Sequence, residues 1–240
     1  MSVDKRNCQI VMMHKDERKL IEHALKPEHT MVEWGSGGST LYFSTKVKKI
    51  VSFEHNELWY TKINNFMEDR HNNIDNVEYH HVSSDFEFKK PKGCKQDTVM
   101  QYRGTPIKYF KAYVNAIERY EKSMFDIALI DGRCRVYCAV KLLPYLKNDG
   151  FLYIHDFFSR KQYHAAYQFY DEVDSSKRGA QTIVKLKKKS KKDLTDPSFY
   201  DTIKTTEQIT EALGRDPEMN EWISHDGHIF GDAADRIIKK

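Results

Sequence analysis

The sequence lacks any long apolar run. Nothing in its 240 residues approaches the roughly 18 consecutive apolar side chains that a membrane-spanning helix needs. The opening "MSVDKRNCQIVMMHKDERK" is broken by charges where a signal peptide requires an apolar stretch. Both absences predict an intracellular, cytoplasmic protein without a membrane partner. Cysteine is scarce, and Cys8, Cys94, Cys134 and Cys138 have no framework spacing, which suits a reducing compartment. Cys134 and Cys138 lie one helical turn apart and read either as buried thiols or as half of a metal site with no second ligand pair. No internal repeat is visible. Neither sign of charge dominates: 39 basic against 35 acidic residues leave +4, with much of the excess in "KLKKKSKK" from Lys185 to Lys192. A solvated lysine run explains that segment, and it lends only weak support to a nucleic-acid partner. What remains, 40% hydrophobic and 12% aromatic residues, is enough for one full core with additions.

The patterns present alternate between strand and helix. "TMVEW", "KIVSFE", "VEYHHVS", "FDIALID" and "FLYIHD" read as strands, separated by helix-like stretches such as "STLYFSTK", "NELWYTKINNFMEDR", "IKYFKAYVNAIERYEK" and "VYCAVKLLPYLK", the last closed by "NDG". "RKQYHAAYQFY" reads as a further helix. "DEVDSSKRGAQTIVKLK" then gives two β-rich arms around "KRG", an antiparallel hairpin. Five βα units followed by a hairpin predict a doubly wound, Rossmann-like α/β sheet. The expected organisation is an N-terminal helical segment over 1–29, a core domain over 30–192 and a C-terminal extension over 193–240 without an assigned role. "SDFEFKKPKGCKQDTVMQYRGTP" reads as a long loop or lid in which Tyr102 and Arg103 are placed to cover an acceptor.

Chemistry starts at "VEWGSGGST". Glycines after the first strand of such a sheet let a ligand lie against the backbone at the carboxyl edge. A dinucleotide fingerprint would place a third glycine at Thr40, and Glu33 just before the turn would repel a pyrophosphate. A ligand with a cationic amino group, S-adenosylmethionine, suits the carboxylate better than a nucleotide phosphate does; an ordinary tight βα turn is the plain alternative. Glu54, which ends "VSFE" about 20 residues after the glycines, stands where an acid hydrogen-bonds ribose hydroxyls. Ser84 and Asp85 are placed to reach the adenine amino group, although a solvated loop acid or a helix cap explains Asp85 equally well.

"VEWGSGGST", "VSFEHN", "VSSD", "FDIALIDG" and "GFLYIHDF", in this order, resemble the motifs of class I S-adenosylmethionine-dependent methyltransferases over roughly residues 30 to 188. The resemblance implies a seven-stranded sheet with an antiparallel final hairpin. It also implies methyl transfer from a sulfonium to a nucleophile. Carried onto this chain, it assigns Glu33, Gly35, Ser36 and Gly37 to the methionine part, with Ser39 at the family's third glycine position, Glu54 to the ribose and Asp85 to the adenine.

Asp131 closes the fourth strand and His155 and Asp156 the fifth, so the three should converge beside the transferred methyl. An O-methyl transfer needs a general base or a bound divalent cation to loosen a hydroxyl proton, and these residues suit either task. In metal-dependent O-methyltransferases of this fold, acids at the same two strand ends bind magnesium or a similar ion. The resemblance therefore makes Asp131, His155 and Asp156 candidate ligands, with the histidine favouring manganese over magnesium. A helix cap and a satisfied strand-end histidine are the alternatives. Arg133 and Arg135 should face the same crevice, either as forks for an acceptor or in ion pairs with Asp126, Asp131 or Asp156. His164 is a second candidate base, ranked below Asp156.

These readings point to O-methylation of a small molecule or sugar hydroxyl. The "NPPY"-type loop of amino-group methylation is absent. An RNA methyltransferase and a catalytically inactive methyltransferase-like binding protein are the alternatives, and a nicotinamide oxidoreductase is disfavoured by the glycine spacing.

Overall fold

A computed structural model describes residues 11–69, 72, 74–84, 110–178, 181–193, 208–210 and 213. Asp85, Tyr102, Arg103, Cys8 and Cys94 lie outside the described residues, as does most of the expected C-terminal extension. The chain runs through α1 (Lys15–Glu22), β1 (Thr30–Trp34), α2 (Gly38–Ser44), β2 (Lys49–Glu54), α3 (Glu57–Met67) and β3 (Val77–His81). It continues with α4 (Lys111–Asn115), β4 (Phe125–Ile130), α5 (Arg135–Leu142), β5 (Leu146–His155), β6 (Tyr170–Arg178) and β7 (Gln181–Lys188). All seven strands form one sheet in the order β3-β2-β1-β4-β5-β7-β6. β1 to β5 are parallel, and β7 runs antiparallel to both β5 and β6. The doubly wound sheet and the terminal hairpin are as the sequence predicts.

Position in the sheet explains composition. The inner strands "TMVEW", "KIVSFE" and "FDIALI" are covered on both faces, so their apolar residues are nearly continuous. β3, at one edge, is half-buried up to His81, its exposed last residue. β6, at the other, is mostly exposed and carries five charged residues, which discourage pairing with another chain.

Alternation along the strands sorts side chains between two cores. Val32, Trp34, Ala128, Ile130, Leu152 and Ile154 pack with Tyr113, Val136 and Val140 from α4 and α5. Met31, Ile127, Leu129 and Tyr153 pack on the opposite face with Ile21 of α1 and Phe43 of α2. The same period assigns Glu33, Asp131 and His155 to the face that α1 covers. α1 begins with a capping box in which Asp16 N–H donates to His14 Nδ1 (3.2 Å) and His14 N–H donates to Glu17 Oε2 (2.7 Å). Ile209 and Leu213 are buried in the larger core, and Thr210 Oγ1 lies 2.6 Å from Tyr137 Oη, so the described part of the 193–240 segment packs on α5.

Two elements differ from expectation. β5 starts at Leu146 and absorbs "NDG", which the sequence predicts as the close of a helix. Its register against β4 jumps from Phe125↔Leu146 to Ile127↔Phe151, a bulge at which a Cβ on Gly150 would lie 2.7 Å from the Asp126 carbonyl oxygen. The "RKQYHAAYQFY" stretch is helical but wound as a 3-10 helix over Lys161–Gln168.

Candidate active site

The strand order reverses between β1 and β4, which opens a crevice at their carboxyl ends. There the two βα turns touch through glycines. Gly35 has φ +92°, and a Cβ on it would lie 2.4 Å from Gly132 N. A Cβ on Gly132 would lie 2.1 Å from Tyr113 Oη and 3.0 Å from Gly35 N. Backbone bonds lock the crossing: Gly132 N–H donates to Trp34 O (2.8 Å) and Gly35 N–H to Phe53 O (2.9 Å). Only glycine fits at either position.

Glu33 sits beneath this turn and is fully buried. Its carboxylate accepts from Ser39 Oγ (2.6 Å), Thr40 Oγ1 (2.5 Å) and Ser52 Oγ (3.0 Å). Burial raises its pKa to about 7 against the pull of the three hydroxyls, and the Asp131 charge adds to the rise. The sequence places Glu33 against a ligand; in the structure its oxygens are occupied by the start of α2 and by β2. Ser39 is thereby also turned inward.

Glu54 is 2% exposed. Its carboxylate accepts from Ser36 N–H (2.9 Å), Ser36 Oγ (3.1 Å) and Asn56 N–H (2.7 Å), so it ties the glycine turn to the end of β2. Trp59 Nε1–H donates to Ser36 O (2.5 Å), and Ser36 Oγ lies 2.5 Å from Tyr79 Oη. Gly37 lies beneath the Trp59 indole, 3.5 Å from where its Cβ would stand.

Asp131, His155 and Asp156 do converge. Asp131 Oδ1 is 3.0 Å from His155 Nδ1, and Asp156 Oδ1 is 3.7 Å from the same nitrogen. The other ring nitrogen, Nε2, lies 3.4 Å from Oε2 of Glu17, which is fully buried on α1. Burial acts to lower the His155 pKa, but the Asp131 charge, hydrogen bonds to Asp131 and Glu17 and the Asp156 charge overcome it and raise the value to about 10. Burial acts to raise the Asp131 pKa and is overcome by the His155 and Arg135 charges, so the net shift is downward. Asp156 occupies the left-handed region at φ 56°, a conformation that aspartate tolerates better than most residues.

Arg135 is 5% exposed and points into the protein. Its guanidinium donates to the carbonyls of Asp131 (2.8 Å), Gly132 (3.0 Å) and His155, and pairs with the carboxylates of Asp131 (3.1 Å) and Asp156 (3.6 Å). Of the two roles the sequence leaves open for it, the ion pair is the one formed. Arg160 adds a second guanidinium, 3.0 Å from Asp156. Arg133 is half-buried, with its guanidinium 6.0 Å from the Phe110 ring centre. His164 stacks on Phe157 (centroids 5.0 Å apart) and belongs to packing around the 3-10 helix.

No protein-family model and no curated protein matches the sequence. Solved structures do. A methyltransferase-like protein from Silicibacter pomeroyi aligns with TM-score 0.56 and 19% identity over 85% of this chain and 97% of its own. An rRNA methylase from Streptococcus thermophilus aligns with TM-score 0.51 and 14% identity over 75% and 100%. A ribosomal protein L11 methylase from Lactobacillus delbrueckii subsp. bulgaricus aligns with TM-score 0.51 and 12% identity over 72% and 77%. The chain has the class I methyltransferase fold.

Within a methyltransferase fold the carboxyl edge described here is the ligand-binding edge. Sequence reading missed two residues there. Glu17 lies in "HKDERK", where an acid looks like any solvated helix face; its partner His155 is 138 positions away. Tyr113 lies in an amphipathic stretch, where an aromatic residue reads as core. Among the described residues no helix is long and apolar enough to cross a membrane.

Proposed function

We propose that the protein is an S-adenosylmethionine-dependent methyltransferase acting on a hydroxyl of a small molecule or sugar. The observation that carries this reading is the Gly35–Gly132 cradle, where a Cβ on either residue would collide, set beside the acid corner at the ends of β4 and β5. The residues present fit the cofactor. Gly35, Ser36 and Gly37 form the turn against which its amino-acid end would lie, with Glu33 and Ser39 holding that turn from below. Glu54 stands at the end of β2 for the ribose, and Asp85, outside the described residues, is the adenine candidate. Bound there, the cofactor supplies an electrophilic methyl on a sulfonium.

The chain's own groups provide the rest. Asp156 is the proposed acceptor of the hydroxyl proton, since His155, its pKa raised to about 10 between the carboxylates of Asp131 and Glu17, is the poorer acceptor of another. Arg133 is the candidate for orienting an acidic or polyhydroxyl acceptor.

A second reading places manganese or magnesium among Asp131, His155 and Asp156, whose ligand atoms all lie within 4.8 Å of one another. Against it stands the charge count. Glu17, Asp131 and Asp156 are already matched by His155, Arg135 and Arg160, and a cation would compete with Arg135 for Asp131 Oδ1. An RNA or protein acceptor is the remaining alternative, suggested by the rRNA and ribosomal-protein methylases among the structural neighbours. The lysine run favours it little: Lys185 Nζ lies 3.9 Å from the Phe151 ring centre, Lys188 donates to the carbonyls of Leu143 and Leu146, and Lys189 faces Asp171.

The test is transfer of a labelled methyl group from S-adenosylmethionine to sugars, sugar nucleotides and phenols, with RNA and ribosomal protein in parallel, each with and without chelator. Label in the hydroxyl compounds in excess chelator supports the leading reading. Loss of activity in chelator supports the cation. Label confined to RNA, falling steeply with added salt, replaces the small-molecule acceptor.

A further inference from the structure

The Tyr113 hydroxyl has no hydrogen-bond partner among the described residues, although the side chain is fully buried. Such a group is costly to leave unpaired, on the order of 1–3 kcal/mol, and a native protein keeps one where a ligand completes it. Its position is set with care. Trp34 Nε1–H donates to the Tyr113 carbonyl oxygen (3.0 Å), which fixes α4 to the end of β1. The ring meets His55 edge-on with centroids 5.3 Å apart, and Phe110 does the same at 6.3 Å. The hydroxyl thus lies 2.1 Å from where a Gly132 Cβ would stand, a point itself 3.0 Å from Gly35 N. Both glycines beside it are half-buried, so the crossing lies at the margin of the crevice.

The chemistry of the neighbours selects what it can bind. Burial pushes the Tyr113 phenol well above its ordinary pKa, and the nearby Glu54 charge pushes it further, so it stays a neutral donor and takes an acceptor atom. Arg135, whose charge acts on the Tyr113 phenol, is committed to three carbonyls and two carboxylates. The N–H groups of Gly35, Ser36, Gly37, Asp131 and Gly132 are likewise committed, so an anionic end of a ligand at the β1–β4 crossing meets this unpaired hydroxyl.

Resting on the methyltransferase reading, we propose that Tyr113 donates its hydroxyl hydrogen to the carboxylate of the ligand's amino-acid end at the Gly35–Gly132 crossing. Tyr113 is then a specificity residue. It distinguishes ligands that carry the amino-acid arm from truncated thioadenosines that lack it.

The experiment is calorimetric titration of wild type and Tyr113→Phe with S-adenosylhomocysteine and with 5′-methylthioadenosine, together with thermal melts of both ligand-free proteins. Tyr113→Phe should lower affinity for S-adenosylhomocysteine about tenfold or more, the usual cost of losing a hydrogen bond to a charged group. Affinity for 5′-methylthioadenosine should be unchanged. The ligand-free variant should melt at or above the wild-type temperature, because no bond is lost. Equal loss for both ligands, no loss for either, or a melt several degrees below wild type would each overturn the proposal. If wild type binds neither ligand, the methyltransferase reading fails first and this assignment falls with it; wild-type binding with an indifferent variant removes Tyr113 alone.

Discussion

Glu17 and His155, 138 positions apart, meet on the sheet face that α1 covers, with Oε2 of the one 3.4 Å from Nε2 of the other. The contact joins the N-terminal helix to the end of β5. It also sets what His155 can do, because Asp131 holds the opposite ring nitrogen at 3.0 Å. A histidine bracketed in this way is a fixed positive charge rather than a base.

Replacing Glu17 by Gln keeps an acceptor for His14 N–H and removes the charge that faces His155. The unfolding free energy should fall by about 1–3 kcal/mol, the range for disturbing a buried charged hydrogen bond. Affinity for S-adenosylhomocysteine should change little, since the Glu17 carboxylate bonds to His14 and His155 rather than to the glycine turn. Denaturant titration and calorimetry check the two halves separately. A stability equal to wild type would show that α1 docks without this pair.

Gly132→Ala should destabilise by about 1–3 kcal/mol through overpacking, because its Cβ would stand 2.1 Å from Tyr113 Oη. Adding Tyr113→Phe removes the atom it strikes and should restore part of the loss. The remaining 3.0 Å approach to Gly35 N is untouched by that change. A double-mutant cycle measures the coupling. Strictly additive effects would show that the backbone contact alone carries the cost.

Much of this architecture was legible in the sequence, and the reasons for the failures are physical. "TMVEW" and "FDIALI" are apolar because both faces are covered, and the strand period alone puts Glu33, Asp131 and His155 on one side of the sheet. Ser36, Gly35 and Glu54 come together as their spacing implies. Orientation was less accessible. Arg135 follows an acid-ended strand and from sequence suits either an acceptor or an ion pair; what turns it inward to the ion pair is three carbonyls that the sequence does not reveal. Glu33 was expected to face a ligand and instead faces hydroxyls of the turn it supports. The start of β5 was misread because "NDG" is common turn chemistry, here absorbed in a bulge at Gly150.

Stability should decline as pH rises from the ordinary carboxylate range towards 10, and two groups give the sign. The buried Glu33 carboxyl keeps its proton up to about 7 in the fold and loses it near its ordinary 4.5 when unfolded, so its contribution is lost as pH climbs through that window. His155 is charged up to about 10 in the fold against an ordinary 6.5, so its contribution is complete below 6.5 and disappears towards 10. Glu33→Gln removes only the lower window. Its melting temperature should therefore gain on wild type between pH 5 and pH 8, taken here as about the span of the Glu33 titration. A difference that is flat across this range would contradict the Glu33 assignment.

Asp156→Asn preserves the left-handed backbone, which asparagine tolerates as well as aspartate does. It removes the proposed proton acceptor and one partner of Arg160. Turnover should fall by about two orders of magnitude or more, the usual reach of general-base catalysis, while binding of S-adenosylhomocysteine stays near wild type. Wild-type turnover in this variant would take Asp156 out of the chemistry.

The central claim is that the Gly35–Gly132 crossing and Glu54 form an S-adenosylmethionine site. Calorimetric titration of the wild-type protein with S-adenosylhomocysteine, with NADH as control and with manganese present or absent, tests it most directly. Micromolar binding of S-adenosylhomocysteine and none of NADH is expected, with affinity lost in Glu54→Ala. No binding of S-adenosylhomocysteine with or without manganese would contradict the claim and leave a methyltransferase fold that serves another ligand.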